Sequence, residues 1–346
     1  MQPGKETSLP LCGSWGVRRS TAARVSGFED TLLVLNTGQR RCYAADGRPI
    51  SCRGSRQDGE LRPGLAWPAD RFRPSGGGVV DLLTDLEWSL CANPAEWPMP
   101  HNEALEYVAE LNRARYLGRD DWRLPGRAEL RSLTGFQTRD PALPAGHPFT
   151  DVCLSWYWTA TASARNPDYA WYVHMEGART FFGHRSEDHL VWPCRGHSRV
   201  VPVHGSIGVD SGRRFEVRRR TVLDRPTGLE WTRDADLARG QVSWEEALSL
   251  VRGLDPRGSS PGAGWRVPTI NELDSLVDLG FYEPALPAKH PFERVADAYW
   301  SSTTSAYEPD WAMALYFDLG RVGVGQKNGR WLSVWAVRST SPPRSR

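Results

Sequence analysis

Apolar residues at helical spacing mark two short segments in the second half of the chain. Ser243 opens the segment SWEEALSLVRGL, and Glu246 follows three residues later, which is the pattern of a capping box. Thr269 and Glu272 repeat this pattern at the start of a second helix. The apolar residues of the first helix are Ala247, Leu248, Val251 and Leu254, and the matching positions in the first half of the chain are Ala104, Leu105, Val108 and Leu111.

After the second helix the pattern changes to short aromatic and β-branched runs that glycines interrupt. The clearest runs are 311–317, 321–324 and 331–337. Such runs are typical of antiparallel strands. The order of strand, helix, helix and several strands predicts an α+β domain of about 125 residues, with two helices and a small, mostly antiparallel twisted sheet.

This pattern occurs twice, because the chain matches itself at a long offset. The tripeptide LEW at 86–88 returns 143 residues later at 229–231. DPALPAGHPF at 140–149 returns as EPALPAKHPF at 283–292. Solenoid repeats have periods of roughly 20–50 residues, so a spacing this long predicts two tandem domains instead.

The repeat sets the predicted domain boundaries. The segments are an N-terminal segment (1–33), a first domain (34–199) with an N-terminal hairpin region (34–75), a linker (200–214), a second domain (215–340) and a tail (341–346). The linker is rich in Gly, Ser, Val and His and lacks periodicity.

Composition excludes several classes of protein. With 346 residues, of which 40% are hydrophobic and 24% charged, the chain can bury two cores. It has no apolar run long enough to span a membrane, and its first residues do not resemble a signal peptide. The net charge of +2 gives no general attraction to nucleic acid. The basic run RRFEVRRR at 213–220 alternates in the manner of a strand with one solvent-exposed face. Alone it is weak support for a nucleic-acid partner.

All six cysteines lie in the first 194 residues, and none forms a C-x-x-C pair of the kind that zinc sites use. The even count allows full pairing in an oxidising compartment, with Cys42 and Cys52 closing a short hairpin. The alternative is a set of reduced thiols in a cytoplasmic protein, which the missing signal peptide favours.

The motif WRxP precedes the second helix in both copies and predicts a structural joint. Its tryptophan is placed to fill the core, and its arginine lies six residues before a glutamate that it can pair with in bidentate fashion. Direct ligand contact is the alternative. The residues of this joint are Trp122, Arg123 and Glu129 in the first copy and Trp265, Arg266 and Glu272 in the second.

Candidate ligand-binding residues lie where the copies differ, in the segments Asn166–Trp192 and Glu308–Trp331. Variable loops on a fixed scaffold are how binding modules diversify, and aromatic residues and arginine dominate recognition surfaces. The alternative is that these segments are solvated hairpin tips. The candidates are Asp168, Trp171, His184, Arg185, Trp192, Glu308, Asp310, Trp311, Gln326, Lys327, Asn328 and Trp331.

Several motifs in this order resemble the Lcl C-terminal domain family. They are TGQ at 37–39, CYAADGRPISC at 42–52, RQDGE at 56–60, WPADRF at 67–72, a Leu-x-Trp strand, Trp-Arg-Leu-Pro, Tyr-Trp-x-x-Thr and a closing Cys-Arg strand. The resemblance covers the chain from about residue 34 to 339 and implies a C-type-lectin-like fold in each copy. This fold is also similar to the scaffold of retroelement-diversified variable proteins and, more distantly, to the fold of formylglycine-generating enzymes.

The resemblance implies a secreted, surface-exposed or periplasmic bacterial protein that binds a glycan or a protein, often as an adhesin. It favours disulfides, with Cys153 and Cys194 as a second pair that joins the strand region to the last strand. The alternative is an oxidoreductase similar to formylglycine-generating enzymes, but those use two closely spaced cysteines near the domain end, which the second copy lacks. No cofactor is expected. Calcium is the alternative, but Glu308-Pro309-Asp310 and Asn166-Pro167-Asp168 are not followed by the Trp-Asn-Asp that C-type lectins add.

Overall fold

The structure, a computed structural model, describes residues 34–198, 214–255 and 264–340. The predicted N-terminal segment, the linker up to residue 213 and the tail lie outside the described residues.

The first domain contains short strands and three α-helices. Its strands are β1 (Cys42–Tyr43), β2 (Pro49–Ile50), β3 (Phe72–Ser75), β4 (Gly78–Asp81), β5 (Leu86–Ser89), β6 (Trp156–Ala162), β7 (Tyr169–His174), β8 (Thr180–His184) and β9 (Cys194–Arg195). Its helices are α1 (Asp58–Leu61), α2 (His101–Arg113) and α3 (Arg127–Leu133), with a 3₁₀ turn at Tyr116–Gly118.

The second domain repeats this order without the β1–α1 region. Its strands are β10 (Phe215–Arg218), β11 (Thr221–Asp224), β12 (Leu229–Thr232), β13 (Ala298–Thr304), β14 (Trp311–Tyr316), β15 (Arg321–Gln326) and β16 (Val337–Ser339). Its helices are α4 (Trp244–Arg252) and α5 (Ile270–Leu276).

The sheets confirm the predicted α+β class and the two tandem domains. Each domain has a four-stranded antiparallel sheet, in the orders β3-β4-β5-β9 and β10-β11-β12-β16. The remaining long strands form one six-stranded sheet, β13-β14-β15-β8-β7-β6, to which each domain gives three strands. The two halves meet where Val322 of β15 pairs with Thr180 of β8.

The helices begin where the capping pattern places them. Ser243 and Glu246 form the reciprocal capping box of α4, and Thr269 and Glu272 form that of α5. Two of the apolar residues at helical spacing, Leu105 and Leu254, are exposed, and Leu254 lies beyond the end of α4 at Arg252.

Each domain has the same aromatic core. Trp88 packs edge-on against Trp192 at 5.7 Å, and Trp231 packs against Trp335 at 5.1 Å. A phenylalanine lies on the second tryptophan of each pair, at 4.9 Å in the first domain and 4.7 Å in the second. The retained residues of the repeat therefore build the interior of each domain.

Helices α3 and α5 meet at the boundary between the domains through a buried ion cluster. Arg131 Nε lies 2.9 Å from Asp274 Oδ2, and Arg127 Nη2 lies 2.9 Å from Asp274 Oδ1. Arg127 also donates to the carbonyl of Gly320 at 2.7 Å. The two domains are thus joined by side-chain charges as well as by the shared sheet.

The hairpin region contacts the second domain, although it precedes the first in the chain. Gln39 exchanges two hydrogen bonds of 2.9 Å with the backbone of Thr304. The buried carboxylate of Asp58 accepts hydrogen bonds from Thr37 at 2.7 Å and Thr303 at 2.6 Å. Burial raises the pKa of Asp58 to about 6.

The Cys42–Cys52 disulfide is present, as predicted, and closes the β1–β2 hairpin. The tip of this hairpin touches the second domain closely, because a Cβ added to Gly47 would lie 2.9 Å from the backbone nitrogen of Asp310. Gly47 also has a φ of +83°, a conformation that favours glycine. The disulfide therefore holds a loop against the neighbouring domain.

Candidate functional site

The two WRxP motifs form the predicted joint at the start of the second helix. Arg123 donates two hydrogen bonds of 2.7 Å to Glu129. Arg266 pairs with Glu272 at 2.9 and 2.6 Å and is almost completely buried. Each glutamate also accepts from the backbone nitrogen of its helix N-cap. The charged groups of the motif therefore pair with each other inside the protein, which fits a structural role.

The tryptophan of each motif also packs against its own domain. Trp122 is buried and donates from Nε1 to the carbonyl of Tyr116 at 2.9 Å. Trp265 is only half-buried, and the guanidinium of Arg338 lies over its ring at 4.7 Å. The two tryptophans therefore pack differently despite their common motif.

The candidate loop segments come together in each domain. The backbone nitrogen of Arg185 donates to the backbone carbonyl of Asp168 at 2.9 Å, and that of Lys327 donates to the backbone carbonyl of Asp310 at 3.0 Å. Each domain thereby brings the start of one strand beside the loop that follows the next strand. The exposed candidates are Asp168, His184, Glu308, Gln326, Asn328 and Trp331, while Arg185, Asp310 and Trp311 are half-buried.

Three predicted ligand contacts are wrong, because Trp171, Trp192 and Lys327 are buried. Trp171 is 2% exposed and lies under the guanidinium of Arg127, at 4.7 Å, in the boundary between the domains. Trp192 is a core residue whose Nε1 donates to the carbonyl of Ser89 at 3.2 Å. Neither ring is available to a ligand.

Lys327 is fully buried where the β1–β2 hairpin meets the second domain. Its Nζ donates to Thr304 Oγ1 at 3.0 Å and to the carbonyl of Pro309 at 2.8 Å. It also lies 3.4 Å from the carbonyl of Ala44 and 4.1 Å from the ring centre of Trp244. Burial lowers its pKa to about 7. The chain's own hairpin thus covers this part of the second-domain loop.

An open cleft remains beside the exposed end of the same loop. Its volume is about 240 Å³, and it is lined by Gln241, Ala296, Asp297, Ala298, Trp331 and Ser333. Trp331 is 61% exposed, the highest value among the exposed large hydrophobic side chains of the described residues. Of these lining residues the sequence indicated only Trp331. A comparison of the two copies could have pointed to this site, because Ala298 stands where the first domain has Trp156.

The second predicted disulfide is wrong, because Cys153 and Cys194 are both free thiols. Cys194 is buried in β9, and burial raises its pKa above the ordinary range. Cys153 lies outside the strands, in a loop where its sulfur accepts from Asn93 Nδ2 at 3.8 Å. The two residues therefore occupy different environments, and neither matches the reactive pair that the alternative enzyme would use.

Within residues 34–198, 214–255 and 264–340, no group of three acidic, histidine or cysteine side chains is placed to hold a metal ion. In the same ranges, no helix is long and apolar enough to cross a lipid bilayer.

A duplicated α+β protein whose two copies differ in their exposed loops is the class that the fold defines. The sequence profile of the Lcl C-terminal domain family matches residues 77–195 and 220–338, one match in each domain. The protein belongs to the Lcl C-terminal domain family and carries the domain as a tandem duplication, as the resemblance predicted. The hairpin region before residue 77 lies outside both matches. No curated protein matches the chain.

Proposed function

We propose that the protein is a non-enzymatic binding or adhesion protein that presents variable loops on two C-type-lectin-like scaffolds, with a glycan or a protein as ligand. One observation carries this proposal. The buried aromatic contacts of the two domains are repeated, whereas the exposed loop after β15 differs in sequence and length from the loop after β8.

The length difference follows from the strand register. Met99 bridges His189 in the first domain, and Val242 bridges Leu332 in the second. Between the buried lysine and this bridge the second domain has Asn328–Trp331, where the first has only Ser186–Asp188. One extra residue at an exposed tip, on strands that keep the same register, is typical of a recognition loop.

The thiols support a non-enzymatic role. An oxidase of the formylglycine-generating type needs two reactive cysteines beside an open pocket, and reactivity requires an accessible, low-pKa thiolate. Burial raises the pKa of Cys194, and burial is also the main cause of a raised pKa at Cys91. The Cys42–Cys52 disulfide supports an oxidising location, so we place the protein at the cell surface or in the periplasm.

A glycan array probed with the full-length protein, with and without EDTA, tests this function. We expect saturable binding that EDTA leaves unchanged, because the described residues provide no metal-binding cluster. Where the array is silent, intact cells treated with protease or periodate distinguish a protein ligand from a glycan. Lack of saturable binding in both assays would contradict the proposal.

A loop-exchange variant serves as the matched control. Replacing Asn328–Trp331 by the Ser-Glu-Asp of the first domain keeps the framework and removes the exposed tip. Binding that survives this exchange unchanged would place the ligand elsewhere on the protein.

A further inference from the structure

We propose that the cleft beside Trp331 binds the ring of a neutral saccharide. This inference rests on the proposed binding function and names the ligand class of the second domain. The cleft, at about 240 Å³, is smaller than the roughly 300–1,000 Å³ that sites for drug-sized ligands occupy. It is open to solvent along one side, as a site for one unit of a longer chain must be.

The indole of Trp331 is exposed but held in place. Leu332 is buried, and its carbonyl accepts from Val242 at 3.0 Å. Arg330 pairs with Glu246 at 2.6 Å on the other side of the tryptophan. The indole lies directly against Gly329, where any added Cβ would collide with the ring. An aromatic face that is already ordered costs little entropy when a ligand stacks on it.

Three polar side chains line the cleft, of which Asp297 and Gln241 are exposed and Ser333 is only 5% exposed. In the part of the chain that the structure describes, the carboxylate of Asp297, the amide of Gln241 and the hydroxyl of Ser333 form no side-chain hydrogen bonds. The exposed carboxylate and amide offer acceptors and donors for adjacent sugar hydroxyls, while the indole offers an apolar face to the ring carbons.

Charge favours a neutral saccharide over an acidic one. Asp297 is exposed in the cleft lining and has no ion-pair partner among the described residues. The nearest basic residue along the loop, Arg330, is already paired with Glu246. A sulfated or carboxylated sugar in the cleft would therefore meet an unneutralised like charge.

The first domain fills the equivalent space with its own side chains. The strand register aligns Trp156 with Ala298 and Leu190 with Ser333. Trp156 packs against Tyr172 at 4.8 Å and against His174 at 4.4 Å. The repeat further aligns Pro98 with Gln241 and Ser155 with Asp297, so the aligned lining loses its carboxylate and its amide. The saccharide site therefore belongs to the second domain alone.

Saturation-transfer NMR of the full-length protein with methyl glycosides of glucose, galactose, mannose and N-acetylglucosamine tests this inference. Titration of the glycoside with the strongest signal then gives its affinity for each variant. We expect Trp331→Ala to weaken binding about tenfold or more, as loss of an aromatic anchor does. Ala298→Trp, which restores the residue of the first domain, should block binding by filling the cleft.

Trp97→Ala is the matched control, because Trp97 is 59% exposed and lies in the first domain. We expect this variant to bind as the wild type does. Equal binding by the Trp331→Ala and Trp97→Ala variants would overturn the assignment of the saccharide site to the cleft, while leaving the proposed function intact. Binding of only glucuronic acid or sulfated glycosides would do the same. If the wild type binds none of these sugars, the cleft inference fails, and the array and cell assays decide the proposed function separately.

Discussion

At the scale of single residues, Lys327 combines a charge with complete burial. Its ammonium group has a hydroxyl, backbone carbonyls and an aromatic ring around it, and among the described residues no carboxylate forms an ion pair with it. An unpaired buried cation is costly, which is why burial lowers the pKa from 10.5 to about 7. The protein therefore becomes more stable as this lysine loses its proton.

The variant Lys327→Met tests this prediction. The unfolded chain keeps the lysine protonated up to its ordinary pKa, whereas the folded protein releases the proton near pH 7. The lysine contribution to the free energy of unfolding should therefore rise by about 2–3 kcal/mol between pH 6.5 and pH 9. Urea unfolding at both pH values should show this rise in the wild type and its loss in the variant.

Lys289→Met is the control, because Lys289 is exposed and the substitution is chemically identical. It should follow the pH dependence of the wild type. A Lys327→Met protein that shows the same rise as the wild type would contradict the assignment.

At the scale of secondary-structure elements, α3 and α5 are equivalent helices that have acquired opposite charges at one position. Arg131 and Asp274 are related by the repeat offset, and they pair with each other across the domain boundary. Both side chains are buried, so neither charge has water as an alternative partner. The pair sets which face of one domain meets the other.

Reversing one of these charges should be costly. Arg131→Asp places two carboxylates together in a buried site, and we expect a loss of about 3–5 kcal/mol in the free energy of unfolding. The double variant with Asp274→Asn removes the second carboxylate without placing a new cation beside Arg127, and it should recover at least half of that loss. Urea denaturation of the four members of the cycle gives the coupling, and additive losses would contradict a direct pair.

The β1–β2 hairpin is a second element whose role can be tested. Replacing Cys42 and Cys52 by serine should remove about 2–3 kcal/mol of stability, as expected for a loop of this length. The loosened hairpin should also uncover Lys327. Acylation of lysine followed by mass spectrometry should show faster labelling of Lys327 and unchanged labelling of Lys289. Unchanged protection of Lys327 would mean that the hairpin stays in place without its disulfide.

The sequence predicted the secondary-structure elements but not the contacts between elements that are far apart in the chain. Capping residues and apolar spacing located α4 and α5, because these signals act within a few residues. Trp171 and Lys327 were assigned to a ligand surface, and both are buried by residues far away in the chain, which no local pattern records. The difference between Arg131 and Asp274 was visible in the repeat, yet its meaning depended on the two helices facing each other.

At the scale of the whole molecule, three connections join the two domains. The six-stranded sheet crosses the boundary, the ion cluster lies beneath it, and the hairpin region contacts the second domain. Several of these contacts are ion pairs or hydrogen bonds between buried polar groups of different domains. The described residues therefore form one structural unit, although the sequence divides into two copies.

We accordingly expect one cooperative thermal transition for the full-length protein. Scanning calorimetry should give a calorimetric enthalpy equal to the van't Hoff enthalpy. The Arg131→Asp variant, with its boundary weakened, is the informative comparison and should broaden or split the transition. Two resolved transitions in the wild type would show that the domains unfold independently.

The opposite charges at positions 131 and 274 also affect the ancestry and assembly of the protein. If two first domains met through this face, arginine would oppose arginine, and two second domains would oppose aspartate with aspartate. Through this face each half is therefore complementary to the other half and not to a second copy of itself. Deleting either copy would remove one partner of the buried Arg131–Asp274 pair, so a single copy should be less stable than the tandem protein.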